Sequence, residues 1–203
     1  MSRKEAILDK AIALFNEQGI RTISTNHIAK ELGISPGNLY YHYRNKEEII
    51  RSIFERMIQD WDQLWSNSGD SPGVETFVEV MRKNFGLLWK YRFFQREHLA
   101  LMQNDEQLKA RYKTIYQQRI AQFQVMADTL KKAEIIRQEV PKETLKMLLQ
   151  ACWLVGDYWI SHLELVGDPE EPAQLEEGIQ TFFLILQPYF TQKAQGELAH
   201  VFK

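Results

Sequence analysis

Asn26, Asn38, Tyr40, Tyr41, His42 and Lys46 crowd into one short stretch near the start of this 203-residue chain. Amides, phenols and an ammonium at that density suit hydrogen bonding to a polar polymer rather than bond breaking. An asparagine can pair with a base edge, and a tyrosine offers a hydroxyl plus an apolar face for a thymine methyl. Asn45-Lys46-Glu47-Glu48 starts a helix at capping-box spacing, and a helix N-terminus carrying Lys46 is a ready phosphate site. Catalytic groupings are absent from the pattern. His27, His42, His98, His162 and His200 show no metal-ligand spacing with carboxylates, and no glycine-rich phosphate loop occurs. Cys152 sits in an apolar helical stretch without a nearby cation, which reads as an inert thiol. Neither an enzyme, a cofactor nor a metal is expected.

Positioning those polar groups requires two short helices about a tight turn. Ser24 or Thr25 can cap the first, Gly33 closes it, Ser35 caps the second and Pro36 occupies its first position. Ile28, Ala29, Leu32, Ile34 and Leu39 would pin the pair together. This is a helix-turn-helix, whose second helix, roughly 36–43, can enter a DNA major groove. Ser2-x-x-Glu5 starts a preceding helix and Gly19 ends it, giving a three-helix head.

Residues 3–50 resemble the DNA-binding domain of the tetracycline-repressor (TetR) family of bacterial transcription regulators. The likeness runs through Ile7, Ala11, Leu14, Phe15 and Gly19, then Ile28-Ala29 and Gly33-Ile34-Ser35, to Leu39-Tyr40-Tyr41-His42-Tyr43 and Lys46. Tyr43 stands where the family usually has Phe. Asn26 stands where some relatives carry a base-reading Arg, so no operator sequence carries over. The resemblance implies that Thr25, Tyr40, His42 and Lys46 hold phosphates; Asn26, Asn38 and Tyr41 are the candidates for base edges. It further implies a homodimeric, all-helical regulator, usually a repressor released by a small ligand.

Charge agrees with such a division. Residues 1–46 carry seven Lys/Arg against four acids, whereas 47–203 carry 18 against 23. A basic head on an acidic body favours local phosphate contact. The lone cysteine, a start that runs straight into an amphipathic helix, and apolar runs far short of the roughly twenty residues of a membrane span predict a soluble cytoplasmic protein without membrane contact.

The expected fold is all-α: a head over 1–46, then a larger effector-binding and dimerisation domain over 47–203, entered by a connecting helix over 47–66. Breaks fall at 67–73, at Pro141 and at 167–172. Helices are expected over 74–90, 92–103, 105–136, 142–166 and 173–191, with 192–203 a frayed or loosely helical tail. Trp89, Phe93, Phe94, His98, Met102, Tyr112, Tyr116 and Trp153 are the candidate walls of a pocket for a small hydrophobic or aromatic effector. Arg92, Arg96, Glu97 and His98 could orient it. Cys152, Val155, Gly156, Trp159 and Leu163, with Ile179, Phe182, Phe183 and Leu186, could form a four-helix interface with a second copy, Gly156 permitting close approach. Two alternatives stay open: a DNA-binding regulator that is constitutive or controlled by a protein partner, and a small-molecule binder without an operator.

Overall fold

The computed structural model describes residues 2–66, 73–167 and 172–202. The expected breaks at 67–73 and 167–172 lie outside these residues apart from their ends. The head comprises α1 (Arg3–Gln18), α2 (Thr25–Glu31) and α3 (Pro36–His42), followed by α4 (Lys46–Ser66). The body adds α5 (Val74–Lys90), α6 (Arg92–Asn104), α7 (Glu106–Lys132), α8 (Lys142–Val166), α9 (Pro172–Leu186) and α10 (Gln192–Val201), with a 3-10 turn at Gln187–Tyr189. No strand occurs among the described residues; Ile136 and Phe190 form a single bridge.

The head follows its local signals. Ser2 Oγ accepts from Glu5 N while Glu5 Oε2 accepts from Ser2 N, a complete capping box. Ser24, not Thr25, caps α2 through His27 N. Gly33 takes φ +64°, and the bonds Gly33 N to Lys30 O and Ile34 N to Ala29 O make a Schellman ending. A Cβ at Gly33 would meet open space, so backbone conformation alone demands glycine there. Ser35 Oγ accepts from Asn38 N at the start of α3. Asn45 Oδ1 caps Glu48 N, but the Glu48 carboxylate reaches back to Arg44 N rather than to Asn45 N.

Two helix ends depart from expectation. α7 stops at Lys132 because Glu134 turns left-handed, at φ +56°, with no glycine to announce the reversal. Ile135 and Ile136 then bury their side chains, and Lys131 Nζ donates to the carbonyls of Gln138 and Val140. α9 ends at Leu186, ahead of Pro188. Of the two alternatives for the tail, the helical one holds, and the helix is firmly docked: Thr191 Oγ1 accepts from Ala194 N, and Ala194 and Leu198 are buried in the body core.

Two apolar clusters fill the protein. One joins α1–α4 to Tyr91, Phe93, Phe94, Met102, Leu108 and Ile115; the other lies among α5, α8, α9, α10 and the end of α7. Trp61 of α4 packs on both. The head core therefore continues into α6 and α7 rather than stopping at residue 46.

The expected dimer residues are mostly spent inside the protomer. Cys152, Leu163, Ile179, Phe183 and Leu186 are buried. Trp159 packs towards α9, its Nε1 donating to Gln174 O at 3.0 Å. Within the protomer Gly178 marks a close approach: a Cβ there would lie 2.5–2.7 Å from Trp159 and Phe85 ring atoms, whereas one at Gly156 meets only Leu88 at 3.9 Å. Gly178→Ala should therefore lower stability by about 1–3 kcal/mol through overpacking, read as a shifted urea midpoint, while Gly156→Ala should be near neutral.

Candidate nucleic-acid interface and ligand cavity

α3 is held from behind and bare in front. Leu39 is fully buried, Tyr43 nearly so, and Ile28 and Ala29 of α2 close the seam. Asn38 and Tyr40 face outward, and Tyr41 is 85% exposed, its ring edge-on to His42 at 5.1 Å. Thr25 Oγ1 and Tyr40 Oη share a 3.0 Å hydrogen bond, which sets two hydroxyls side by side across the turn. Asn26 is exposed beside them. Lys46 differs from expectation: its Nζ donates to Ile20 O at 2.8 Å and Ile23 O at 3.0 Å. Carbonyls of the α1–α2 turn thus take two of its three donors, and one remains for a phosphate.

Behind the head, α6 grips the end of α1. Asn16, itself buried, donates to Lys90 O at 2.9 Å and accepts from Phe93 N at 3.0 Å. Arg96 Nη2 donates to Phe15 O and Asn16 O, and Glu97 Oε1 accepts from Ile20 N. Arg96 and Glu97 thus satisfy the end of α1 rather than orienting a ligand. Arg92 stacks over Trp89, 4.2 Å from the ring centroid. Phe93, fully buried, faces Phe15.

The neighbouring face of α6 borders a cavity of about 110 Å³. Of the candidate wall residues, Phe94, His98, Tyr112 and Trp153 line it. Trp89, Phe93 and Met102 do not, because the helix rotation turns Phe93 to α1 and buries Met102 in the head cluster; Tyr116 does not either, packing instead on the Trp153 ring at 5.3 Å. Cys152, Gly156 and Phe182, expected at a dimer contact, are cavity wall. α4 supplies Phe54, Met57, Ile58, Trp61 and Trp65 to the wall.

Polar groups in this wall are few. Asp157 accepts from Tyr112 Oη at 2.9 Å and Trp153 Nε1 at 2.6 Å. Burial nonetheless raises its carboxyl to about 6, since two hydrogen bonds only partly offset the loss of water. Burial also lowers the His98 pKa and pushes the Cys152 thiol up to about 12, so the imidazole is neutral and the thiol unreactive near neutrality. Arg119 Nη1 donates to Asp62 Oδ1 at 2.6 Å and Gln122 Oε1 at 2.7 Å. Asp157, Arg119 and Gln95 escaped the sequence reading; the one available signal was an acid inside the apolar run of α8.

An outward-facing recognition helix on a head rigidly packed against a helical body defines a DNA-binding regulator. A family profile described as "Bacterial regulatory proteins, tetR family" matches residues 7–53, and one described as "Bacterial transcriptional repressor" matches 54–198. The chain belongs to the TetR family of DNA-binding transcriptional regulators. A TetR-family regulator from Marinobacter aquaeolei superposes with a TM-score of 0.89 at 32% identity, covering 99% of this chain and 97% of that one. The negative transcriptional regulator of the biofilm operon icaADBC, IcaR, from Staphylococcus epidermidis is 36% identical over 81 residues, 39% of this chain and 44% of that protein. The chain thus spans about half the length of the curated relatives it matches first. SmeT, the repressor of a Stenotrophomonas maltophilia multidrug efflux pump, shares the fold with a TM-score of 0.65 at 20% identity over 96% of this chain and 93% of its own; it has also been solved with triclosan. No helix among the described residues is long and apolar enough to cross a membrane.

Proposed function

We propose that this protein is a homodimeric repressor that reads a palindromic operator with α3 and releases it when a small apolar compound enters the body. The observation that carries the DNA reading is α3 itself, anchored by buried Leu39 while Asn38, Tyr40 and Tyr41 stand in solvent. In this reading Asn26, Asn38 and Tyr41 meet base edges. Thr25, Tyr40, His42 and the remaining donor of Lys46 hold phosphates. The head over 1–46 acts on DNA, and the body over 47–203 binds effector and partner.

Release follows from where the cavity lies. Its roughly 110 Å³ is below the volume of an engineered apolar cavity that admits benzene, about 150 Å³. A larger compound must displace a wall. Two of those walls, α4 and α6, also hold the head, α4 by continuous helix and α6 through Asn16 and Arg96. A ligand that fits only the displaced arrangement has differential affinity and shifts the equilibrium.

Selection of bound duplexes from random DNA tests the reading. A twofold-related motif is expected to emerge, with Asn38→Ala relaxing preference at one position of each half-site by about 1–3 kcal/mol. Recovery of no motif would leave the small-molecule binder without an operator as the better account.

A further inference from the structure

Trp61 Nε1, Arg119 Nη2 and Gln95 Oε1 are buried without a hydrogen-bond partner among the described residues, and all three residues line the one cavity. Arg119 is 7% exposed and Gln95 5%. An unsatisfied buried polar group carries its full desolvation cost, so three at one surface imply a polar guest. Their placement is directional. α4 and α7 run side by side in matched register, Phe54 beside Tyr112 and Asp62 bonded to Arg119. Trp61 and Arg119 therefore share one level, and both are donors. Gln95 lies on α6 with His98, which packs on Tyr112, so the acceptor belongs to the other end. Arg119 and Tyr112 are seven residues apart on α7, roughly 10 Å at 1.5 Å per residue. Asp157 stands at the Tyr112 end, opposite the cation.

We propose that the effector is an apolar monocarboxylate, its carboxylate on Arg119 Nη2 and Trp61 Nε1 and a hydroxyl at its far end donating to Gln95 Oε1. This rests on the reading of the cavity as the effector site. The Arg119–Asp62 bond uses Nη1 and can persist, so the carboxylate adds to the guanidinium without breaking it. Asp157 disfavours the reversed orientation by repulsion. Trp65, Arg119, Phe123 and Met126 also line an outer groove between α4, α5 and α7, which gives the carboxylate end a route inward past the same cation.

The test is titration calorimetry at pH 8 with 4-hydroxycinnamate, 4-hydroxycinnamyl alcohol, cinnamate and 4-ethylphenol. The acid should bind at least tenfold tighter than its alcohol, and Arg119→Met should reduce it to the level of the alcohol. Gln95→Leu replaces an unpartnered carbonyl by hydrocarbon; it should raise the thermal midpoint of the free protein and erase the advantage of 4-hydroxycinnamate over cinnamate, leaving the preference for acids intact. Equal binding of acid and alcohol, or an acid preference that survives Arg119→Met, overturns the carboxylate while the cavity reading stands. Failure of all four compounds to bind overturns both.

Discussion

Changing Leu154 and Tyr158 together to Asp should cut operator affinity by about 10²- to 10⁴-fold while leaving the protomer folded. Two heads reach two half-sites only when joined, and the second contact then benefits from an effective concentration that separate protomers lack. The face proposed for joining them follows from what the protomer leaves uncovered. Leu154, Tyr158 and Leu165 stand at helical spacing on α8, more than half exposed, with Leu184 similarly bare on α9. Large apolar side chains exposed at helical spacing support placing the proposed contact on this face. The charges enter at solvent-facing positions, so far-UV dichroism should stay near wild type, while the urea midpoint should lose only the part that depends on protein concentration. Sedimentation should give about 24 kDa for the variant, one chain's mass, and twice that for the wild type. Binding to an isolated half-site should not change. A wild-type particle of one chain, or a variant that keeps full-length operator affinity, would sink both the interface and the dimeric mode of binding.

The contrast with the residues expected at that interface shows where sequence ceases to be informative. The head was legible because its determinants are local: Ser35 and Pro36 start α3, and Gly33 ends α2 through a backbone conformation that L side chains resist. α8 and α9 are apolar on more than one face, so periodicity located the helices without fixing their rotation. Trp159 and Phe183 turned inward, Leu154 and Leu184 outward. Phe93 and Phe94 show the same ambiguity, one meeting Phe15 of α1 and the other Phe54 of α4. The end of α7 was missed because Glu134 adopts a left-handed turn that glycine usually marks. The docking of the tail was not legible because Ala194 and Leu198 become a core only when α5 is beside them. The role of Lys46 depends on carbonyls more than twenty residues away, and no pattern along the chain brings them near.

Asp157 gives the second large expected effect, a contribution to stability that falls as pH rises from about 4 to 7 and that Asp157→Asn removes. Burial raises this carboxyl from its ordinary 3.8 to about 6. At pH 5 the folded protein keeps the proton that the unfolded chain has lost. The native state therefore binds more protons, and linkage makes stability decline with pH across that window. About a unit above pH 6 both states are ionised and the penalty is constant, on the order of 3 kcal/mol at 1.36 kcal/mol per pKa unit. Asparagine keeps an oxygen for Tyr112 Oη and Trp153 Nε1 and never ionises. Its amide nitrogen needs a partner of its own, which reduces the net gain at pH 8, so the slope is the cleaner readout. Urea midpoints of both proteins at pH 4, 5, 6 and 8 supply it. The wild-type curve also contains every other carboxylate, whereas the difference between the two curves isolates this one. That difference should be smallest at pH 4, move in favour of asparagine through pH 6, and level off by pH 8. Parallel curves would mean that water reaches Asp157 in solution, so that burial does not hold its proton.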